Sequence, residues 1–152
     1  MHSDSLVVDP ASQEERLIVE AMMKRYLVDL GGSGQYPHLE TYWIEPQRSP
    51  YLLRVGGQAV GFALVEQVDQ RVSELVEFYV EAESRRRGIG RQAAEKLFGI
   101  HPGTWRVGVR SDNARGQHFW RAMLRERPAE AVTEISVPQG TIYEFVAATG
   151  EA

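Results

Sequence analysis

Hydrophobic positions in this chain fall into short strand-like runs separated by stretches of helical spacing. Leu6-Val7-Val8 is the first run, a strand stopped by Pro10. Ser12 and Glu15 form a capping-box pair ahead of a helix that extends to about Leu30, where Gly31-Gly32 ends it. The apolar residues of that helix (Leu17, Ile18, Met22, Leu27, Val28) spread around much of its circumference, the pattern of a helix packed on more than one side. Gly31 to Pro50 has no sustained period, although a short helix near His38 to Ile44 fits within it. Tyr51 to Val55 and Gln58 to Val65 are strands joined at Gly56-Gly57 by a two-residue hairpin, and Gly61 predicts a bulge or a close backbone approach. Val72 to Val80 follows the turn at Asp69-Gln70. Pro102-Gly103 precedes a strand at Trp105 to Arg110, and Asn113 opens a helix with Gly116, Phe119, Trp120, Met123 and Leu124 on one face, ended by Pro128. Ala131 to Val137 and Thr141 to Val146 read as a closing hairpin.

The stretch from Glu77 to Arg91 organises the rest. Phe78 and Val80 are strand formers, Glu81 to Ser84 end the run, and a helix starts near Gly90, with Ile89, Ala93, Leu97 and Ala94, Phe98 at helical spacing. A helix N-terminus offers unpaired N–H groups and the positive end of its dipole. Gly88 and Gly90 let a ligand approach that backbone, and Arg85, Arg86, Arg87 and Arg91 add positive charge, so the turn suits a phosphate or pyrophosphate.

Arg85-x-x-Gly88-x-Gly90 after a strand resembles the pyrophosphate loop of the GNAT superfamily of N-acetyltransferases. Asn113 to Trp120 resembles that superfamily's later motif N-x-x-A-x-x-F-Y, with Gly116 for the usual alanine and Trp120 for the usual tyrosine. The resemblance implies a single acyltransferase domain over residues 1–152. It also implies an α/β fold with a mixed, mostly antiparallel central sheet, helices on both faces and a splayed parallel strand pair. Acetyl-CoA is the implied co-substrate. Its pyrophosphate would sit on the backbone of Arg86 to Gly90, supported by Arg85 and Arg91, and its pantetheine arm along Phe78-Tyr79-Val80, whose N–H groups would polarise the thioester. Asn113 would cap its helix and reach the pantetheine or pyrophosphate, while Phe119 and Trp120 would form core or cofactor wall. The region around Tyr36, Tyr42 and Trp43, with Glu40 and Glu45, would line the acceptor site for a cationic amine, or else serve as a connector with satellite packing.

Composition narrows the alternatives. At 152 residues the chain is one domain, able to bury roughly two thirds of its unfolded surface. A net charge of −4 argues against general nucleic-acid affinity, and the basic charge is local to residues 85–91. The absence of cysteine excludes disulfides, a cysteine nucleophile and thiolate metal sites. His2, His38, His101 and His118 are scattered and form no metal-ligand pattern. Asp4 and Asp9 interrupt the N-terminal apolar run, which reads as neither signal peptide nor membrane span, so a cytoplasmic enzyme is expected.

Acetyl transfer to an amine needs a held thioester, a proton acceptor and a donor for the oxyanion. Glu77 and Glu74 are the candidate bases; their odd separation puts them on opposite faces of a regular strand unless a bulge intervenes. Trp120 cannot replace a tyrosine as a proton source, because an indole N–H only donates a hydrogen bond. The leading expectation is an acetyl-CoA-dependent N-acetyltransferase acting by direct attack on a small primary amine. An acyl-CoA-binding sensor or interaction module without strong catalysis is the alternative, and a small nucleic-acid binder a more distant third. No metal or membrane partner is expected, and a homodimer is left open.

Overall fold

The computed structural model describes residues 5–32, 34–85 and 87–147. The strands are β1 (Leu6–Pro10), β2 (Arg48–Val55), β3 (Gln58–Asp69), β4 (Val72–Val80), β5 (Thr104–Arg110), β6 (Val132–Val137) and β7 (Gly140–Val146), and the helices α1 (Arg16–Asp29), α2 (Ile89–Ile100) and α3 (Ala114–Leu124). One seven-stranded sheet runs in the order β1-β2-β3-β4-β5-β7-β6. Every neighbouring pair is antiparallel except β4 and β5. Among the described residues no helix is long and apolar enough to cross a membrane.

Each sheet face carries its own core. Leu52, Phe62, Leu64 and Tyr79 meet Val19, Met22 and Met23 of α1. On the opposite face Ala63, Val65, Leu75, Trp105 and Val107 pack under Ala94, Leu97 and Phe98 of α2 and Trp120, Met123 and Leu124 of α3. The alternation of side chains along each strand produces this division. Gly56 and Gly57 both have positive φ (61° and 80°), which a two-residue hairpin requires. Gly61 sits at a register shift between β2 and β3, and a Cβ there would lie 2.2 Å from the Tyr79 carbonyl oxygen. Both expectations for Gly61, bulge and close approach, are met.

Several boundaries differ from expectation. Pro10 is the last residue of the edge strand β1, and β2 starts at Arg48 with Pro50 inside it; proline is tolerated near strand ends and on edges. Ser12 and Glu15 make both capping-box bonds (Ser12 N–H to Glu15 Oε1 2.8 Å, Glu15 N–H to Ser12 Oγ 3.2 Å), yet these close a turn and the helix itself begins at Arg16. At its other end Gly31 (φ 88°) and Gly32 donate to Val28 and Leu27, the paired bonds that terminate a helix. α1 packs on one side only, leaving Leu17, Ile18 and Val28 exposed. Its scattered apolar residues therefore do not report a second packed face. The short helix after the glycines is a 3-10 turn at Leu39–Trp43.

Candidate active site

Pairing between β4 and β5 begins at Val72 and Thr104 and ends at Leu75 and Val107. Beyond that point the two strands diverge. The N–H of Glu81 bonds the Val60 carbonyl on β3, so strand alternation turns the backbone groups of Tyr79 toward β3 and those of Phe78 and Val80 into the gap. A cavity of about 670 Å³ occupies the gap. It touches β4 from Leu75 to Val80, β5 from Val107 to Val109, the start of α2, one side of α3, and Tyr26 and Asp29 of α1. The opening therefore joins the two faces of the sheet.

At one mouth lies the N-terminus of α2. Gly88 is its N-cap with φ 77°, a conformation that favours glycine, and no side chain caps the helix. The first amides of α2, at Ile89, Gly90 and Arg91, are left without intrahelical partners, which is the arrangement that accepts an anion. Ile89 is itself buried in the core, anchoring the turn from below. A Cβ on Gly90 would come within 3.1 Å of Phe119 Cε1, so glycine here also lets α2 approach α3.

The arginines divide their work. Arg85 turns inward: its Nε donates to the Val80 carbonyl at 2.8 Å, its Nη2 reaches Asp29 at 3.3 Å, and its guanidinium lies over Tyr79. It fastens the turn to β4 and α1, and still borders the cavity. Arg91 pairs with Glu126, while Arg87 is exposed. Arg86 lies outside the described residues. On α3, Asn113 Oδ1 accepts from the Gly116 N–H at 3.0 Å, so Asn113 is the N-cap. A Cβ on Gly116 would meet Asn113 Nδ2 at 2.6 Å, which accounts for glycine where the family motif has alanine. Phe119 and Trp120 form an aromatic wall with Phe78 (ring centroids 6.1 and 5.9 Å), and Trp120 is buried.

At the other mouth the polar groups are side chains. Val65 pairs with Leu75 and Leu64 with Glu77, so Val76 is an extra residue in β4. This bulge changes the parity of the strand. Glu74 and Glu77 both face α1, contrary to the opposite orientation of a regular strand. Tyr26 of α1 donates to Glu77 Oε1 at 2.6 Å, and the Tyr36 hydroxyl lies near enough to favour the ionised carboxylate. Burial raises the pKa of Glu77, and the hydroxyls of Tyr26 and Tyr36 oppose that rise. Glu74 is raised by burial and by the Glu66 carboxylate paired with it across β3, against the pull of Arg106. Glu77 borders the cavity and Glu74 does not.

Tyr36, Tyr42 and Trp43 share the α1-side hydrophobic cluster, and none of them borders the cavity. Tyr42 is buried in the α1-side core, where burial pushes its hydroxyl up to about 12. Trp43 donates its indole N–H to the Ala11 and Ser12 carbonyls, pinning the start of α1. Of the three, Tyr36 is the one whose hydroxyl favours the ionised Glu77 carboxylate. The residues that sequence reasoning missed are Tyr26 and Asp29. Tyr26 continues the buried stripe Val19, Met22, Met23 by helical spacing, and a polar-tipped residue ending such a stripe was the available signal. Among the described residues no group of His, Asp or Glu is placed to hold a metal ion.

A sheet parted between two parallel strands, with a helix N-terminus at the mouth of the gap, suits an acyltransferase that takes its acyl group from coenzyme A. The chain belongs to the acetyltransferase (GNAT) family, whose model matches residues 16–124. Acetyl-CoA is accordingly its co-substrate. Solved structures agree in fold. An acetyltransferase from Thermus thermophilus is 18% identical with TM-score 0.74, covering 96% of this chain and 98% of that one. PaiA N-acetyltransferase from Thermoplasma acidophilum, in complex with coenzyme A, is 15% identical with TM-score 0.65, covering 93% and 99%. The ribosomal-protein-S18-alanine N-acetyltransferase of Escherichia coli is 14% identical with TM-score 0.65, covering 97% of each chain. No curated protein sequence gives a significant match.

Proposed function

We propose that this acetyltransferase moves the acetyl group of acetyl-CoA directly onto the primary amine of a small molecule, with Glu77 as proton acceptor. The observation that carries the reading is the half-buried carboxylate of Glu77 on the cavity wall, one residue before the backbone that faces the gap. In this reading the amides of Ile89, Gly90 and Arg91 take the pyrophosphate, with Arg87 as nearby charge. Pantetheine lies along Phe78 to Val80, against Phe119 and Trp120, and Asn113 borders the same space. The N–H groups of Phe78 and Val80 supply donors for the thioester oxygen as it gains charge.

The acceptor enters from the α1 side. Tyr26, Asp29 and Glu77 make that wall aromatic and acidic, which suits a cation. The neutral amine attacks the acetyl carbonyl carbon, the C–N bond forms, the C–S bond breaks, and the amine proton passes to Glu77 directly or through one water. Coenzyme A leaves as thiolate, a leaving group stable enough to depart without the tyrosine that Trp120 replaces. A location in the cytoplasm, where acetyl-CoA is abundant, suits this reading.

Thiol release from acetyl-CoA over a panel of small primary amines tests it, with mass spectrometry of the product. The expected result is amine-dependent thiol release and an N-acetylated amine. Tight acetyl-CoA binding with no release above hydrolysis for any amine would contradict it and favour an acyl-CoA-binding module.

A further inference from the structure

We propose that Tyr26 is a positioning residue for proton transfer: from α1 its hydroxyl holds one oxygen of the Glu77 carboxylate and so orients the group toward the acceptor. The inference rests on the reading of Glu77 as proton acceptor. Its basis is geometric. Tyr26 and Glu77 are 51 positions apart, joined by a 2.6 Å hydrogen bond, and both border the cavity. Tyr26 itself is held on either side. Arg25 grips Glu81 with two bonds (3.2 and 2.5 Å), and Asp29 pairs with Arg85. Those two ion pairs clamp the last turn of α1 to the end of β4 and to the coenzyme turn, so the hydroxyl is located relative to the strand that carries Glu77. The ring adds edge-on contacts with Phe62 and Tyr79.

A half-buried carboxylate without such a partner would rotate and tend to stay protonated. An ionised carboxylate has about four lone-pair sites. The bond from Tyr26 and the nearby Tyr36 hydroxyl leave capacity for the proton of the amine. The other groups facing this corner are Tyr42 from the 3-10 turn, Arg48 of β2, Glu66 of β3 and Glu74 of β4, and they act mainly on Tyr42 and Tyr36. Tyr26 is thus the one partner of Glu77 supplied by α1.

Tyr26→Phe removes the hydroxyl and keeps the ring; Tyr26→Leu removes both. Three readouts decide: carboxyl ¹³C NMR titration of Glu77 with acetyl-CoA bound, its resonance assigned with Glu77→Gln; kcat/KM against pH with an amine that the protein turns over; and acetyl-CoA affinity by calorimetry. In Tyr26→Phe the Glu77 midpoint should move to higher pH. Below that midpoint kcat/KM should fall roughly 10-fold, as for a lost hydrogen bond to a charged group, with acetyl-CoA affinity unchanged. A wild-type midpoint, or a shifted midpoint with unaltered rates at every pH, overturns the proposal. So does a Tyr26→Phe protein that behaves as wild type while Tyr26→Leu fails, since the ring alone would then matter. Full activity in Glu77→Gln would instead defeat the reading of Glu77, whatever Tyr26→Phe does. A wild-type midpoint overturns the proposal without any acceptor.

Discussion

The two mouths of the cavity are built from different materials. On the α2 and α3 side the groups proposed to meet the coenzyme are backbone: the open amides of the α2 turn and the edge of β4 beyond its pairing with β5. On the α1 side the polar groups are side chains, Glu77 and Tyr26 with Tyr36, brought together from three separate segments. A backbone site needs glycines and a particular order of elements, and tolerates change elsewhere. A side-chain site depends on how α1 packs and on the one-residue bulge at Val76. The coenzyme is common to the whole family, so the first mouth can be generic, whereas the acceptor is where members differ.

The sharpest way to break this comparison is Glu77→Gln. If the α1 mouth does the proton chemistry, kcat/KM should drop by roughly 10²–10⁴, while calorimetric acetyl-CoA affinity stays near wild type. Equal losses in rate and affinity would merge the two mouths into one site. The same variant carries a pH test of stability. Burial raises the folded-state pKa of Glu77 above its ordinary value of 4.5. The folded protein then binds this proton more tightly than the unfolded chain. The stability so gained is complete below about 4.5 and is lost as pH rises through the folded-state value. Glu77→Gln should therefore melt at a higher temperature than wild type at pH 7 and lose that advantage at pH 4.

Gly90→Val probes the backbone mouth. Its Cβ would press on Phe119, so the variant should lose about 1–3 kcal/mol from overpacking as well as coenzyme affinity. Combining it with Phe119→Ala should relieve the clash at Gly90 without returning acetyl-CoA binding; recovery of both would show that Gly90 matters for packing alone.

A smaller effect is expected at Trp43, which pins Ala11 and Ser12 and does not border the cavity. Trp43→Ala should cost about 2 kcal/mol in stability, less than the loss of a fully buried tryptophan, with the amine KM unchanged in the fraction that stays folded. A raised KM with unchanged melting would return Trp43 to the acceptor wall.

These contrasts also explain what was legible in the sequence. The α2 turn announced itself because Gly88 is favoured by its backbone conformation and Gly90 by the close approach of Phe119, and both lie between a strand and a helix with clear periods. Asn113 did so because N-caps have a local chemical reason. The layout of strands and helices followed from the same periodicities. Arg85 was readable as a cation near the turn but not as a clamp, since Asp29 lies 56 positions away. Glu77 was visible as a candidate, whereas its orientation was not. The bulge at Val76 arises where β4 pairs with β3, and no residue type near it marks the extra position. The sequence left Tyr42 and Trp43 open because aromatics in an irregular stretch suit a ligand wall and satellite packing equally well; tertiary contacts set both away from the cavity.

The central claim is that backbone on one side of the gap holds acetyl-CoA next to Glu77 on the other. Amide hydrogen exchange with and without acetyl-CoA tests it most directly, because it reads backbone groups one segment at a time. New protection is expected within Val76 to Val80 and within Gly88 to Arg91, and none in β6. Protection that falls elsewhere, with those two segments exchanging as in the free protein, would contradict it.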